Sequence, residues 1–222
     1  QSGSLTAVPN GRYDPQAQAV TFKTDSFGQY AIGSSATDFS DVPATAWYAK
    51  AVRFAAARGI STGVGNNRFN PNGQLTRAQV LVMILRAYGI ALDSNTSDNF
   101  TDAGDTWYTG YLAAAKRLGI TKGVGNNLFA PDNPITRQEM FALLYNTLKL
   151  MEELPEGNSS TTQSKNTLSG FTDADQIAAW AKEAMTALIE AGTINGSNGK
   201  LFPASTADRA QLVQVLYNLL SQ

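Results

Sequence analysis

Apolar residues recur at helical spacing in six segments of the chain, which form three successive pairs. In the second helix of the middle pair the stripe comprises Met140, Leu143, Leu144, Thr147 and Leu148. The stripes of the first helices are Trp47, Ala51, Phe54 and Ala55; then Trp107, Tyr111, Ala114, Ala115 and Leu118; then Trp180, Ala184, Ala187, Leu188 and Ala191. Residues spaced three or four apart share one face of a helix. The pattern therefore predicts an all-α protein.

Each second helix is predicted to begin with a capping sequence followed by an arginine. A threonine with glutamine or glutamate three residues later is a capping box, and aspartate serves equally as the cap. The cap pairs are Thr76 with Gln79, Thr136 with Glu139, and Asp208 with Gln211. This places Arg77, Arg137 and Arg209 at the first helical position.

Short motifs recur in the same order around each helix pair. The openings are Phe39-Ser40-Asp41, Phe100-Thr101-Asp102 and Phe171-Thr172-Asp173. After the first helix come Gly59, Gly119 and Gly192, and then a glycine-rich loop that ends in phenylalanine, one residue and proline. The third copy of this loop, residues 195–203, is degraded. An internal repeat of this kind predicts that the three units stack against one another.

Three repeats organise most of the chain. They span residues 38–92, 99–151 and 170–222, and a polar, turn-rich segment at 152–169 is interpreted as an exposed, mobile linker. One helix pair cannot bury its own stripe, whereas three pairs can. The simplest arrangement is a pseudo-threefold trimer of helix-loop-helix repeats around a central three-helix bundle. An open superhelical stack is the competing geometry.

The first 37 residues have a different character. Residues 19–24 alternate in polarity, residues 29–32 are strand-like, and residues 13–16 are turn-like. Residues 1–37 are therefore interpreted as two short strands at the tail of a preceding β-domain. So small a sheet is marginal unless it docks on the helices.

Composition excludes several classes of function. Of the 222 residues, 43% are hydrophobic and 16% charged, as in ordinary folded proteins, and the formal net charge is −1. No global field favours nucleic acid, and no apolar run is long enough for membrane insertion. With no cysteine and no histidine, disulfides, zinc-thiolate sites and most catalytic triads are excluded.

The repeated motifs together resemble the S-layer homology domain, over about residues 38 to 222. The third repeat matches less well, because it lacks the Gly-Val-Gly core of the loop and has Asp208 in place of threonine. The resemblance implies a pseudo-trimer formed by one chain. It also implies a non-catalytic anchor, without cofactor or metal, secreted to the cell wall or S-layer of a Gram-positive bacterium. The implied partner is a secondary cell-wall polysaccharide attached to peptidoglycan, recognised at a terminal pyruvylated N-acetylmannosamine.

The family's hallmark binding residue is an arginine that corresponds to Arg77, Arg137 and Arg209. A guanidinium matches a carboxylate in two hydrogen bonds. A cation is disfavoured at a helix N-terminus, whereas an anion is favoured because free backbone amides point outward there. This conflict suggests a ligand, and the alternative is a salt bridge to Asp41, Asp102 or Asp173. Ligand binding is favoured for the first two arginines, and both readings stay open for Arg209.

Other repeat positions are candidate ligand contacts, each with a structural alternative. Glycines allow close approach of a ligand to backbone, although they also make turns. Tryptophans can stack on a sugar with one face while the other packs on the core. Aspartates can accept hydrogen bonds from sugar hydroxyls or make Asx-turns, and the Asx-turn is the favoured interpretation. The candidates are Thr62, Gly63, Gly65, Lys122, Gly123, Gly125, Trp47, Trp107, Trp180, Asp41, Asp102 and Asp173. The core is assigned Phe39, Phe69, Phe100, Phe129, Phe171 and Phe202.

Three rival functions are weaker. A glycosidase needs a carboxylate pair, and the local cluster of Asp102 with Asp105 is a weak signal for one. A structural spacer needs neither arginines nor glycine loops in register. A calcium module is disfavoured because its acidic loop spacing is missing.

Overall fold

The protein is all-α apart from one small sheet. The computed structural model describes residues 6–24, 27–33, 37–155 and 167–221. Strands β1 (Arg12–Asp14) and β2 (Ala19–Thr21) precede helices α1 (Ala49–Ala57), α2 (Arg77–Ala87), α3 (Thr109–Arg117), α4 (Arg137–Leu150), α5 (Lys182–Glu190) and α6 (Arg209–Leu220). Short 3₁₀ helices at Leu168–Gly170, Ala174–Gln176 and Ala179–Ala181 lie before α5. The predicted fold class is confirmed, with two α-helices in each repeat.

The chain divides into two compact units. One comprises Gln1–Gly73, Met83–Ala91 and Asp208–Gln222, and the other comprises Gln74–Val82 and Leu92–Ala207. The first contains the hairpin, α1 and α6, the second contains α3, α4 and α5, and α2 runs through both. Each unit is therefore built from more than one repeat.

A closed ring of backbone hydrogen bonds joins the three repeats within the second unit. The Leu75 amide donates to the Ala207 carbonyl at 3.0 Å, the Ile135 amide to Leu75 at 3.0 Å, and the Ala207 amide to Ile135 at 2.9 Å. All three residues are fully buried. Each repeat contributes the same position, two residues before its arginine, which confirms the pseudo-threefold relation. An open stack would leave the terminal repeats without this closure.

Helices pack between repeats rather than only within them. In the second unit α4 of the second repeat packs against α5 of the third. In the first unit α6 of the third repeat packs against α1 of the first, where the rings of Phe54 and Tyr217 meet edge to face at 5.2 Å. In both pairs the second helix of one repeat covers the first helix of the next.

Helix α2 is apolar on nearly all sides. Val80, Leu81, Ile84 and Leu85 are completely buried. The predicted stripe of α4 is buried as well, from Met140 to Leu148. A helix that is hydrophobic all round lies in a core, as α2 does here.

The N-terminal strands pair as one antiparallel hairpin, with Tyr13 opposite Val20. Asp14 accepts bonds from the amides of Gln16 and Ala17, at 2.8 and 3.0 Å, and so holds the turn. The strand predicted over residues 19–24 exists at its first three positions. Its partner was predicted wrongly, because residues 29–32 are not a strand and the region interpreted as a turn contributes β1.

The hairpin region is tied to the first repeat within the first unit. Arg58, just after α1, donates from Nη1 to the carbonyl of Pro9 at 3.1 Å, and its guanidinium lies 4.2 Å from the centre of the Phe54 ring. Asn10 Nδ2 donates to the Lys23 carbonyl at 3.0 Å. The Arg58–Pro9 bond docks the hairpin region on the first repeat, and the Asn10–Lys23 bond closes the hairpin region on itself.

Two remaining predictions concern the linker and membrane insertion. Most of the predicted linker, residues 156–166, lies outside the described residues. Across the ranges that the structure describes, none of the helices combines the length and the apolar character that crossing a bilayer demands.

Candidate functional site

Each second helix begins at its arginine, behind the predicted cap. Glu139 donates its amide to Thr136 Oγ1 and accepts the Thr136 amide at 2.8 Å, which completes the capping box. Asp208 accepts the Gln211 amide at 2.8 Å, and the Gln79 amide donates to Thr76 Oγ1 at 3.3 Å. These caps fix the arginine side chains at the junctions between repeats.

The first two amides of each second helix are bonded to the loop of the next repeat. The amides of Arg77 and Ala78 donate to the carbonyls of Asn133 and Pro131, both at 3.0 Å. The equivalent pairs are Arg137 with Ser205, Gln138 with Pro203, Arg209 with Gly73, and Ala210 with Pro71. The expectation that free amides attract an anion here is therefore wrong. Loop carbonyls and the cap already take these donors, so anion binding by the guanidinium stays a prediction.

Arg77 is buried and makes two side-chain hydrogen bonds within the second unit. Its Nε donates to the Phe129 carbonyl at 2.8 Å, and its Nη1 donates to Glu139 Oε1 at 2.6 Å. Only 5% of the residue is exposed. Burial lowers the pKa of Arg77, while the negative charges of Glu139 and Asp102 oppose that shift. The ion pair forms with Glu139, not with an aspartate of the repeat openings.

Arg137 makes the equivalent contact to the third repeat. Its Nε donates to the Leu201 carbonyl at 2.9 Å, and its guanidinium lies 5.5 Å from the centre of the Phe141 ring. The side chain is partly buried. Two of the three arginines therefore join neighbouring repeats through the same Nε–carbonyl bond.

Arg209 departs from this pattern. It is 6% exposed, and among the described residues its buried Nε has no hydrogen-bond partner. Its Nη1 lies 4.0 Å from Sδ of Met83, and its guanidinium lies 5.9 Å from the centre of the Phe69 ring. Burial lowers the pKa of Arg209, with no acidic group opposing the shift. Within the described part of the chain, Arg209 is thus a desolvated guanidinium without a carboxylate partner, which is an unfavourable state for a buried charge.

The aspartates of the repeat openings hold the glycine-rich loops. Asp41 accepts the amides of Phe69 and Asn70, both at 2.8 Å, and Asp173 accepts those of Leu201 and Phe202, both at 2.8 Å. Asp102 bonds Phe129 and Ala130 in the same way. This long-range clamp replaces the predicted Asx-turn, and a contact with sugar hydroxyls stays a prediction.

Hydrogen bonds from backbone amides also determine the ionisation of two of these aspartates. Burial disfavours their charged form, but these hydrogen bonds outweigh the effect of burial and hold the pKa of Asp41 and of Asp173 below the ordinary value. Positive charge on Arg68 and Lys200, respectively, acts in the same direction. Both aspartates are therefore stabilised as carboxylates.

The loop glycines are explained by the packing of the loop itself. Gly63 has a φ of 80°, and a Cβ there would collide with the Arg68 carbonyl and the Phe39 ring. Gly123 is equivalent. Gly65 and Gly125, with φ of 90° and 104°, face open space and are required by conformation alone. The neighbouring candidates Thr62 and Lys122 are exposed. Ligand approach along these loops stays a prediction.

The three tryptophans lie at the surface. Trp47, Trp107 and Trp180 are 63%, 56% and 61% exposed, and the first two precede α1 and α3 rather than start their buried stripes. The ring of Tyr48 packs edge-on against Trp47 at 5.2 Å, and that of Tyr108 packs likewise against Trp107. Their predicted place in the helix stripe is wrong, whereas an exposed indole face suits a sugar ring.

The third loop is shifted by one residue relative to the motif. Leu201 is fully buried where the first repeats have Phe69 and Phe129, while Phe202 is 41% exposed. The assignment of Phe202 to the core is therefore wrong. Counting back two residues from Pro71, Pro131 and Pro203 identifies Leu201 correctly, and this spacing was the missed signal. The other core assignments hold, with Phe171 only partly buried.

Two further residues were missed. Gly196 is equivalent to Gly63, since a Cβ there would meet the Lys200 carbonyl and the Phe171 ring. Glu139 was identified only as a cap, yet it is also the partner of Arg77. Its sequence signal is that it is the single acid among Gln79, Glu139 and Gln211.

The rival sites receive no structural support. Both oxygens of Asp102 accept backbone amides, and Asp105 is exposed. Over the described ranges, no group of three or more acidic side chains is placed to hold a metal ion.

Comparison with known sequences agrees with this architecture. The sequence model of the S-layer homology domain matches at residues 38–81, 99–141 and 170–213, more than half of the chain. The chain therefore belongs to the S-layer homology domain family. The repeats matched are those whose arginines and loops form the junctions.

Relatives of the chain include surface-layer proteins and enzymes. It is 28% identical over 83% of its length to the S-layer protein sap of Bacillus anthracis, of which it covers 21%. It is 31% identical over 96% of its length to an amylopullulanase of Thermoanaerobacterium thermosulfurigenes, of which it covers 11%. It is 30% identical over 79% to the exoglucanase XynX of Acetivibrio thermocellus, covering 16%. The chain thus spans at most about a fifth of these proteins.

The shared region defines the role of the module. The chain thus matches part of an S-layer protein, part of an amylopullulanase and part of an exoglucanase. The chain is a cell-wall anchoring module of the bacterial surface layer.

Proposed function

We propose that this module anchors its parent protein by binding a secondary cell-wall polysaccharide attached to peptidoglycan. The ligand group is a terminal pyruvylated N-acetylmannosamine, held at the junctions between repeats. The module itself has no catalytic activity. The observation that carries the proposal is the arginine at the start of each second helix, above all Arg209, which is buried and has no acidic partner among the residues that the structure describes.

The chemistry of the pyruvyl ketal suits these junctions. The ketal places a carboxylate on the sugar ring, and a guanidinium binds a carboxylate through two parallel bonds. A guanidinium already removed from water binds a carboxylate more strongly than an exposed one. The protein thus offers a positive group whose position is fixed by a helix cap and a neighbouring loop.

The remaining sugar surface needs apolar contacts. Exposed indole faces at Trp47, Trp107 and Trp180 supply a surface for stacking in every repeat. The exposed loop residues Val64 and Val124 add further apolar area. These groups carry no charge and therefore account for sugar binding rather than for recognition of the carboxylate.

The proposal is tested by calorimetric titration with synthetic pyruvylated N-acetylmannosamine beside its unpyruvylated twin. We expect binding of the pyruvylated sugar only. Arg209→Lys keeps the charge but removes the two-pronged geometry, and we expect it to weaken binding about 10- to 100-fold, the loss of one charge-assisted bond. Arg53→Lys, at an exposed arginine of α1 paired with Asp38, is the matched control. Equal affinity for the two sugars contradicts the proposal.

A further inference from the structure

The three arginine junctions differ in charge. Arg77 is paired with Glu139 at 2.6 Å, whereas Arg209 has no ion pair within the described part of the chain. The difference originates in the sequence, because the third residue of the second helix is Glu139 in the second repeat and Gln79 or Gln211 in the others. Equivalent arginines are therefore unequal as anion receptors.

Glu139 forms with Arg77 the ion pair that the carboxylate of a bound ligand would otherwise form. Its Oε1 accepts Nη1 of Arg77, while its Oε2 accepts the amide and the hydroxyl of Thr136. The Glu139 side chain is 25% exposed and that of Arg77 only 7%, so the carboxylate lies on the solvent side of the ion pair. A ligand approaching Arg77 from solvent meets Glu139 first.

We propose that Glu139 is an internal competitor that occupies Arg77, so that of the two buried arginines Arg77 and Arg209 the latter is the stronger anion receptor. The proposal rests on the proposed function for the identity of the natural ligand. Its central claim concerns any carboxylate, however, and is testable without that ligand. A carboxylate from outside gains little at Arg77, because it must displace one that is held covalently in place at high effective concentration.

The capping function of Glu139 is separable from this competition. At the equivalent position of the first repeat, Gln79 Oε1 accepts the Thr76 amide at 3.2 Å. An uncharged amide therefore serves in the same cap. Glu139→Gln is expected to preserve the start of α4 while removing the negative charge from Arg77.

The experiment follows the arginine Nε–Hε resonances of the full chain by two-dimensional NMR. The probes are sodium acetate and the pyruvylated sugar. In the wild type we expect Arg209 to respond and Arg77 to stay unchanged. In Glu139→Gln we expect Arg77 to respond as well, with a rise in its affinity of about tenfold or more. Glu190→Gln removes an exposed acid of α5 and controls for net charge.

The outcomes separate this inference from the proposed function. An Arg77 that responds in the wild type as strongly as Arg209, or that stays silent to acetate in Glu139→Gln, overturns the inference. If acetate reaches Arg77 only in the variant while the pyruvylated sugar binds neither protein, Glu139 is a competitor and the proposed sugar is wrong. Should the variant fail to fold, the wild-type comparison of Arg77 with Arg209 still decides.

Discussion

At the scale of single residues, one backbone position shows how the third repeat differs from the others. Asn70, Ala130 and Phe202 occupy equivalent places after the buried loop residue, with φ of 57°, 58° and 52°. Asparagine tolerates this left-handed conformation, whereas a bulky side chain is strained there. Phe202 is nevertheless half exposed, so packing does not fully compensate for the strain.

Replacing Phe202 with asparagine is expected to stabilise the protein by about 1 kcal/mol, because it relieves the left-handed strain. Thermal or urea unfolding measures the change. Phe202→Leu is the matched control, since leucine is equally unsuited to positive φ and should bring no gain. A stability increase in the leucine variant, or a loss in the asparagine variant, would show that the exposed ring contributes packing instead.

The loop aspartates predict how stability depends on pH. Their pKa values are lowered in the folded protein, so their stabilisation is present above the ordinary pKa near 4 and is lost as pH falls through the lowered values. Unfolding followed by urea at several pH values should show stability decreasing below about pH 4.

Asp173→Asn tests the source of that pH dependence. The variant should be less stable at neutral pH, by about 1 to 3 kcal/mol for a charge-assisted bond, and should lose less stability on acidification. Asp175→Asn, at an exposed neighbour, should change neither property. If the free energy of unfolding of Asp173→Asn fell with decreasing pH as steeply as that of the wild type, the acid sensitivity would belong to other carboxylates.

At the scale of elements, local signals predicted the second helices well and the first helices less well. Caps and apolar spacing located the starts of α2, α4 and α6, because a cap is a property of four adjacent residues. The tryptophans led to a wrong prediction of where the first helices begin. From sequence alone, a buried aromatic residue in the first turn of a helix cannot be distinguished from an exposed aromatic residue just before the helix. The β1 strand was missed because its pairing is set by the turn after Asp14.

The candidate site was predictable in part. The arginine positions follow from the repeat, but their partners lie 52 to 64 residues away and depend on which repeat is the neighbour. The sequence therefore indicated a conflict between the cation and the helix end without revealing that loop carbonyls and Glu139 resolve it. The sequence marks Glu139 as the single acid at its repeat position, and the folded junction shows that this acid pairs with Arg77.

At the scale of the whole molecule, the repeats depend on one another for their backbone bonds. Leu75, Ile135 and Ala207 each satisfy a buried amide and a buried carbonyl in different neighbours. A missing repeat leaves such groups unpaired, and each unpaired buried group costs about 1–3 kcal/mol. Loss of the packing of α5 on α4 and of α6 on α1 adds exposed apolar surface. The three repeats should therefore fold only together.

This dependence is tested by removing the third repeat. Residues 38–151 alone are expected to lose cooperative unfolding and a dispersed amide spectrum, because the Leu75 amide and the Ile135 carbonyl lose Ala207. As the matched control, a chain cleaved between residues 155 and 167 keeps all three repeats and should remain folded, since the ring is not covalent. Native-like unfolding of residues 38–151 would mean that two repeats form a sufficient core. Dissociation of the cleaved chain would instead mean that the covalent link, rather than the ring and the helix packing, holds the third repeat in place.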